Sequence, residues 1–306
     1  MGITDRQREQ RKHNIGASDI PAILGISPWR SAWDVAAEKR GLIESPAENE
    51  AMKRGNYLET AILDYAQDQI GEPLIRNQRR VCAELHLAAS CDALVKSTGI
   101  PVEAKSSRAI GLYGDGESDV PLPVRAQCHG QMLCTETDYV WVPVLVASLE
   151  FRLYRVPRND RLVDLLTRVL PAWWHECVEL DQAPTEELYR KLGLPNVNPL
   201  ALCPSLDVAC SIVREEGKTI DLPADARSEV DEYEALGAKI KELETERESH
   251  QRRIYTMMGD AMLGKCGDRA VKIIAPQDKW VEPKAGYMRH ITPYFRIVNN
   301  KESKGE

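Results

Sequence analysis

Asp92, Glu103 and Lys105 lie within twenty residues of one another in "AASCDALVKSTGIPVEAKSS" (88–107). In a strand, side chains two apart project to the same face, so Glu103 and Lys105 point the same way. The turn signals in "KSTGIP" predict a hairpin that returns the chain beside Asp92. Two converging carboxylates make a hard oxygen site suited to Mg²⁺ or Mn²⁺. Lys105 beside them could hold or deprotonate a metal-bound water while the metal stabilises charge on a phosphodiester. A lone E-x-K also suits a surface hairpin with an ordinary ion pair, so the flanking motifs have to decide.

The elements that must position these residues read as a mixed α/β layer. "IGASDIPAILGISPWRSAWDVAAEKRGL" (15–42) predicts a helix with Ser18 as N-cap, a Gly–Pro break and a second helix. "NEAMKRGNYLETAILDYAQDQIG" (49–71) has helical apolar spacing and a glycine stop, and it carries Glu59. "LIRNQRRVCAE" (74–84) reads as a strand. "PVRAQCHGQMLCTETD" (123–138) reads as a helix with Gln127 and Gln131 on one face. "YVWVPVLVA" and "EFRLYRVP" predict two strands, and 160–178 an amphipathic helix with Pro171 inside it.

Residues 181–206 contain four prolines and read as a linker between a 1–180 core and a 207–306 appendage. In the appendage Val230, Tyr233, Leu236, Ile240, Leu243, His250 and Ile254 form one apolar stripe, with a gap at Arg247. "RAVKIIA" and "HITPYFRIV" then predict strands of a small terminal unit.

The 306 residues are 43% hydrophobic and 28% charged, ordinary for a globular protein. A net charge of −7 looks wrong for a protein that handles nucleic acid, but residues 214–248 hold 6 basic and 12 acidic side chains. That leaves the remainder near neutral, with basic clusters at 6–12 and 76–80. The eight cysteines form no C-x-x-C pair and the six histidines no H-x-x-x-H pair, so neither a zinc site nor an iron–sulfur cluster gains support. Reduced, mostly buried thiols are expected. No apolar run is long enough to cross a membrane, and "MGITDRQREQRKHN" has no signal-peptide core. Trp29, Trp33, Trp173 and Trp174 read as packing residues rather than base-stacking ones.

"IGASDIPAILGISPWRSAWDVAAEKRG", "RGNYLE", "SCDAL…VEAKSS" and "AQCHGQM" occur in an order that resembles the YqaJ-like viral recombinase nucleases, relatives of phage lambda exonuclease in the PD-(D/E)xK superfamily. The resemblance spans residues from about 11 to 178. Cys91 and Ala93 depart from it, standing where that family often has proline and glycine around the aspartate. It implies a PD-(D/E)xK restriction-endonuclease-like core, a central mixed sheet flanked by helices, with a C-terminal helical and small β appendage.

The resemblance also assigns roles. Asp92, Glu103 and the Ala104 carbonyl would bind Mg²⁺ or Mn²⁺, Glu59 would hold a second metal or its water, and Lys105 would orient or activate the nucleophile. Gln127 would support the site, and Arg11, Ser18 and Ser90 would grip a DNA phosphate. On their own residues, Ser18 reads as a simple cap and Arg11 as a solvated charge, while Gln131 remains open as a surface amide.

The activity so implied is 5′→3′ exonuclease action on double-stranded DNA ends, beside a single-strand annealing protein in recombination. A ring-shaped trimer and a cytoplasmic, phage- or prophage-encoded setting go with it, and no membrane partner does. Two rivals remain: a restriction- or repair-type endonuclease of the same fold, and a catalytically silent DNA-binding relative.

Overall fold

The computed structural model describes residues 11–44, 50–147, 150–212, 217, 219–224, 226–267 and 269–272. The expected strand at "HITPYFRIV" lies outside the described residues, as does the end of "RAVKIIA". Among the described residues no helix is long and apolar enough to cross a membrane.

A short strand, β1 (Ile15–Gly16), leads into a 3₁₀ turn, Ala17–Asp19, and a one-turn helix, α1 (Ile20–Ile23). Ser18 is not the cap that the sequence suggests. It sits inside the turn, which Gly16 caps by giving its N–H to Asp19 Oδ2. The true capping box belongs to α2 (Ala32–Lys39), where Ser31 Oγ accepts from the Asp34 N–H and Asp34 Oδ2 accepts from the Ser31 N–H. Helix α3 (Glu50–Ile70) stops at Gly71, whose φ of +76° needs no Cβ.

Strands β2 (Leu74–Cys82) and β3 (Leu87–Val95) pair antiparallel along their length. The hairpin partner of β3 then breaks in two. Strand β4 (Pro101–Val102) pairs antiparallel with β3, and β5 (Lys105–Ser107) has left it for β6. The sequence reads as one continuous strand here; the structure puts Glu103 and Ala104 in the break.

Helix α4 (Leu122–Thr135), strands β6 (Tyr139–Val146) and β7 (Glu150–Pro157) and helix α5 (Asp160–Trp174) complete the layers. Pro171 is accommodated within α5, which continues into a π-helical turn at His175–Glu179. The result is the expected core, a mixed seven-stranded sheet flanked by helices. One core cluster gathers Ile15, Ile20, Leu87, Leu166, Leu170 and Trp173, a second gathers Met132, Val140, Val142, Val144 and Tyr154, and a third packs Leu63 and Ala66 of α3 on Ala93, Val102 and Trp141. Trp173 and Trp174 are core residues as expected, whereas Trp29 is 86% exposed.

Residues 181–206 do not behave as the linker that their prolines suggest. They form helix α6 (Glu186–Lys191) and a 3₁₀ turn, Pro199–Leu202, and they bury Tyr189, Leu192 and Leu202 in the main core. The Tyr189 hydroxyl donates to the Ile23 carbonyl at 2.7 Å. Proline here sets turns in a packed strap; it does not mark solvated chain. By compactness the chain divides after Ile212, so this strap and helix α7 (Leu206–Ser211) belong to the first unit.

The second unit holds a 33-residue helix, α8 (Ala226–Met258), and a ribbon of β8 (Leu263–Cys266) and β9 (Arg269–Lys272).

Candidate active site

The site lies where the sheet forks. At one end β4 joins β3 to β6; past Glu103 that link ends. Strand β3 then takes β1 as a parallel neighbour, and β6 takes β5. On this edge of β3, among the described residues, no strand pairs with positions between Ala88 and Ala93. Ser90 and Asp92 face outward from that stretch, while Ala89, Cys91 and Ala93 face the core.

The fork brings the expected acids and base together. Asp92 Oδ2 accepts the Ala104 N–H at 2.8 Å, which ties the strand to the break. Lys105 Nζ lies 2.6 Å from Glu103 Oε1 and 3.1 Å from Gln127 Oε1, and Gln127 Nε2 donates to Glu103 Oε1 at 2.6 Å. Gln131, one turn along α4, donates its amide to Glu103 Oε2. It is fully buried, so the surface-amide reading of this residue falls.

Helix α4 can come this close because of a glycine. A Cβ on Gly130 would meet Ile20 Cδ1 at 2.4 Å and Ala17 Cβ at 3.1 Å. "AQCHGQ" therefore works as a unit, with the glycine seating the helix on the 3₁₀ turn and the glutamines reaching the acid. His129 in that motif is structural. Its Nδ1 contacts the Arg125 carbonyl at 2.7 Å, and its Nε2 accepts the Asn159 N–H at 2.9 Å.

Two depressions meet at Asp92. One, of about 270 Å³, is lined by Glu59, Asp92, Glu103, Ala104 and Lys105. The other, of about 400 Å³, is lined by Arg11, Ser18, Ser90, Asp92 and Gln127, with Arg79 from β2 also on its wall. Every side chain given a role by the resemblance lines at least one of the two, whereas Gln131 lines neither. Arg79 was legible only as part of the basic cluster 76–80.

The electrostatics differ between the two. Burial, and then the Glu103 charge, push the Asp92 carboxyl well above the usual carboxylate range, with Glu59 adding to the rise. An acid in that position gains from a cation. Burial alone would favour a neutral Lys105, but the Glu103 and Asp92 carboxylates outweigh it and hold the amine protonated. The two carboxylates thus favour the charged form of Lys105, which suits it to holding an anion or a water.

The donor set fits a hard divalent cation: carboxylates from Asp92, Glu103 and Glu59, and the peptide oxygen of Ala104. Among the described residues no three His, Cys, Asp or Glu side chains converge closely enough to hold a metal alone. A Mg²⁺-like ion keeps several water or phosphate ligands and does not require such a cage.

Comparison with known proteins agrees with the motifs. Residues 8–138 match the YqaJ-like viral recombinase domain family. The chain is similar to the uncharacterized protein YqaJ of Bacillus subtilis (strain 168), at 23% identity over 272 residues, covering 85% of this chain and 79% of the relative. Among solved structures it is similar to an alkaline exonuclease from Laribacter hongkongensis, with 18% identity, a TM-score of 0.46, and coverage of 62% of this chain and 98% of that one. It is also similar to a phage-related exonuclease from Haemophilus somnus 129PT, with 15% identity, a TM-score of 0.41, and coverage of 55% and 95%.

The sequence reading missed a buried cluster behind the larger depression: Asp19, Arg30, Glu38 and Lys39. Asp19, Glu38 and Lys39 are at most 5% exposed. The signal was present in "SAWDVAAEKRG", where Glu38 and Lys39 fall on a helix otherwise rich in buried alanine and valine. Nothing in the sequence pairs them with Arg30, or with Asp19 across the Gly–Pro break.

Proposed function

We propose that this protein is a metal-dependent deoxyribonuclease that degrades double-stranded DNA from its ends in the 5′→3′ direction. The observation that carries the reading is the meeting of an acid-lined depression and an Arg/Ser-lined one at Asp92. Ser90 and Asp92 project from the same face of β3, two residues apart and so roughly 7 Å along the strand. A terminal phosphate held at Arg11, Ser18 and Ser90 lies within about one nucleotide of the acids.

Asp92, Glu103, Glu59 and the Ala104 carbonyl would hold Mg²⁺ or Mn²⁺. When bound, such an ion polarises the phosphodiester and lowers the pKa of water. The Lys105 ammonium orients the attacking water or the phosphate oxygen. Gln127 hydrogen-bonds both Lys105 and Glu103, and Gln131 secures the far oxygen of Glu103. Arg11 supplies a forked, permanently charged donor for the terminal phosphate. A single-strand annealing protein, a trimeric ring and a cytoplasmic setting belong to the same reading and rest on the family resemblance.

The test is digestion of linear duplex labelled separately at each 5′ and 3′ end, beside closed circular DNA. Early release of the 5′ label with the circle untouched supports the reading. Cutting of the circle would favour an endonuclease of the same fold, and no metal-dependent cleavage at all would favour a silent DNA-binding relative.

A further inference from the structure

Behind Arg11 and Ser18 lies an ionic cluster that does not itself line either depression. Lys39, its side chain fully buried, brings Nζ to 2.7 Å from Asp19 Oδ2 and donates at 2.8 Å to the main-chain oxygen of Arg11. Arg30 bridges the cluster, 3.1 Å from Asp19 Oδ1 and 2.6 Å from Glu38 Oε2. The other oxygen of Glu38 lies 3.6 Å from Arg11 Nε. Asp19 also accepts the Gly16 N–H at 2.9 Å, and Gly16 caps the turn that carries Ser18.

Burying several charges is an inefficient route to stability, because the desolvation cost can match or exceed the attraction between them. What such a cluster does supply is fixed geometry. Three of its ties end on the segment that carries the phosphate-binding side chains. Lys39 grips Arg11 by its backbone and Glu38 faces its guanidinium, while Asp19 closes the turn under Ser18. Glu38 is already hydrogen-bonded to Arg30, and at 3.6 Å it lies beyond hydrogen-bond reach of Arg11. It stands beside the guanidinium and sets its direction without a direct hydrogen bond at that nitrogen.

We propose that Glu38 and Lys39 are positioning residues for the terminal phosphate: they hold Arg11 at the mouth of the larger depression and so set the preference for phosphorylated DNA ends. The proposal rests on the reading of Arg11 and Ser18 as phosphate-binding residues. It adds that their competence comes from buried charges that never touch the DNA.

The experiment compares full-length wild type, Glu38→Gln, Lys39→Met and Lys39→Arg on duplexes whose 5′ ends carry phosphate or hydroxyl, with KM and kcat measured separately and melting as a control. Glu38→Gln keeps the shape and loses the charge. It should cut the phosphate-over-hydroxyl preference about tenfold, chiefly through KM, as expected when a binding group is misplaced by a fraction of an ångström. Lys39→Met should do the same, and Lys39→Arg should recover part of the preference. If Lys39→Met fails to fold, Glu38→Gln decides.

A folded Glu38→Gln protein with the wild-type preference would overturn the proposal. So would one whose rates fall equally on both ends through kcat, which would mean a general structural role. Loss of preference in wild type itself would instead remove the phosphate-pocket reading on which the proposal stands.

Discussion

The two depressions share Asp92 but are built on opposite principles. The smaller gathers carboxylates around one ammonium, so Asp92 is held as a reluctant anion that a cation would relieve. The larger has a guanidinium and hydroxyls on its wall, and its counter-charges are buried behind it, out of reach of a ligand. The two walls differ in the sign of the charge that dominates them. The comparison teaches that metal site and phosphate site can be separated by mutation even though they sit on one strand.

The largest effect should come from the acid side. Asp92→Asn or Glu103→Gln removes charge stabilisation worth several kcal/mol, so cleavage of linear duplex in Mg²⁺ should fall about a thousandfold or more with melting little changed. Chelation of divalent ions should do the same to wild type. A folded Glu103→Gln protein of full activity would end the assignment of the smaller depression.

Next in size is Asp19. Burial alone would raise its pKa, but Lys39, Arg30 and Arg11 more than reverse this and hold it far below the usual carboxylate range. A carboxyl held low contributes stability that is complete above the unfolded-chain value of about 3.9 and is lost as pH falls below it. Asp19→Asn, by breaking a buried pair, should cost about 3 kcal/mol at pH 7. The gap to wild type should narrow in denaturant titrations near pH 3. A gap independent of pH would show that Asp19 is not the anion of this cluster.

Lys105→Met should slow cleavage on the order of a hundredfold, the usual loss when one preorganised charge donor leaves a reacting site. With Lys105 acting through its charge, Lys105→Arg should keep more activity than Lys105→Met; equal loss in both would point to a general-base role instead. Arg11→Ala should reduce digestion of 5′-phosphorylated ends about tenfold, the worth of one charge-assisted hydrogen bond. Its effect on hydroxyl ends should be smaller.

The smallest effect should follow from removing residues 213–306. All the buried hydrophobic residues among those described lie between Ile15 and Leu202. Residues 1–212 should therefore melt cooperatively near the full-length value. Residues 1–180, which lack buried Tyr189, should not.

The grouping of the candidate site residues was more legible in the sequence than the strand pairing that brings them together. Period two made Glu103 and Lys105 neighbours, and they are, although through a break rather than within a strand. Asp92 was legible because an acid in an apolar strand is costly unless something needs it. The fork was not legible: whether a strand stays with one neighbour or leaves for another depends on pairing far along the chain. The strap at 181–206 was misread because proline reports backbone shape and says nothing of burial. The ionic cluster was missed because its partners come together only in three dimensions. In the second unit, the apolar stripe of α8 was plain, yet Leu236, Ile240 and Leu243 are all more than half exposed. A period identifies a face without identifying what covers it.

One measurement tests the central claim most directly. Asp92→Asn, silent in cleavage, is titrated in Ca²⁺ with duplexes whose 5′ ends carry either phosphate or hydroxyl, and Arg11→Ala is assayed on the same duplexes for metal-dependent cleavage. The account predicts that Asp92→Asn still binds the phosphorylated end more tightly, by about tenfold, while Arg11→Ala loses that preference and still cuts. Equal binding of both ends by Asp92→Asn, in a protein that melts like wild type, would contradict it.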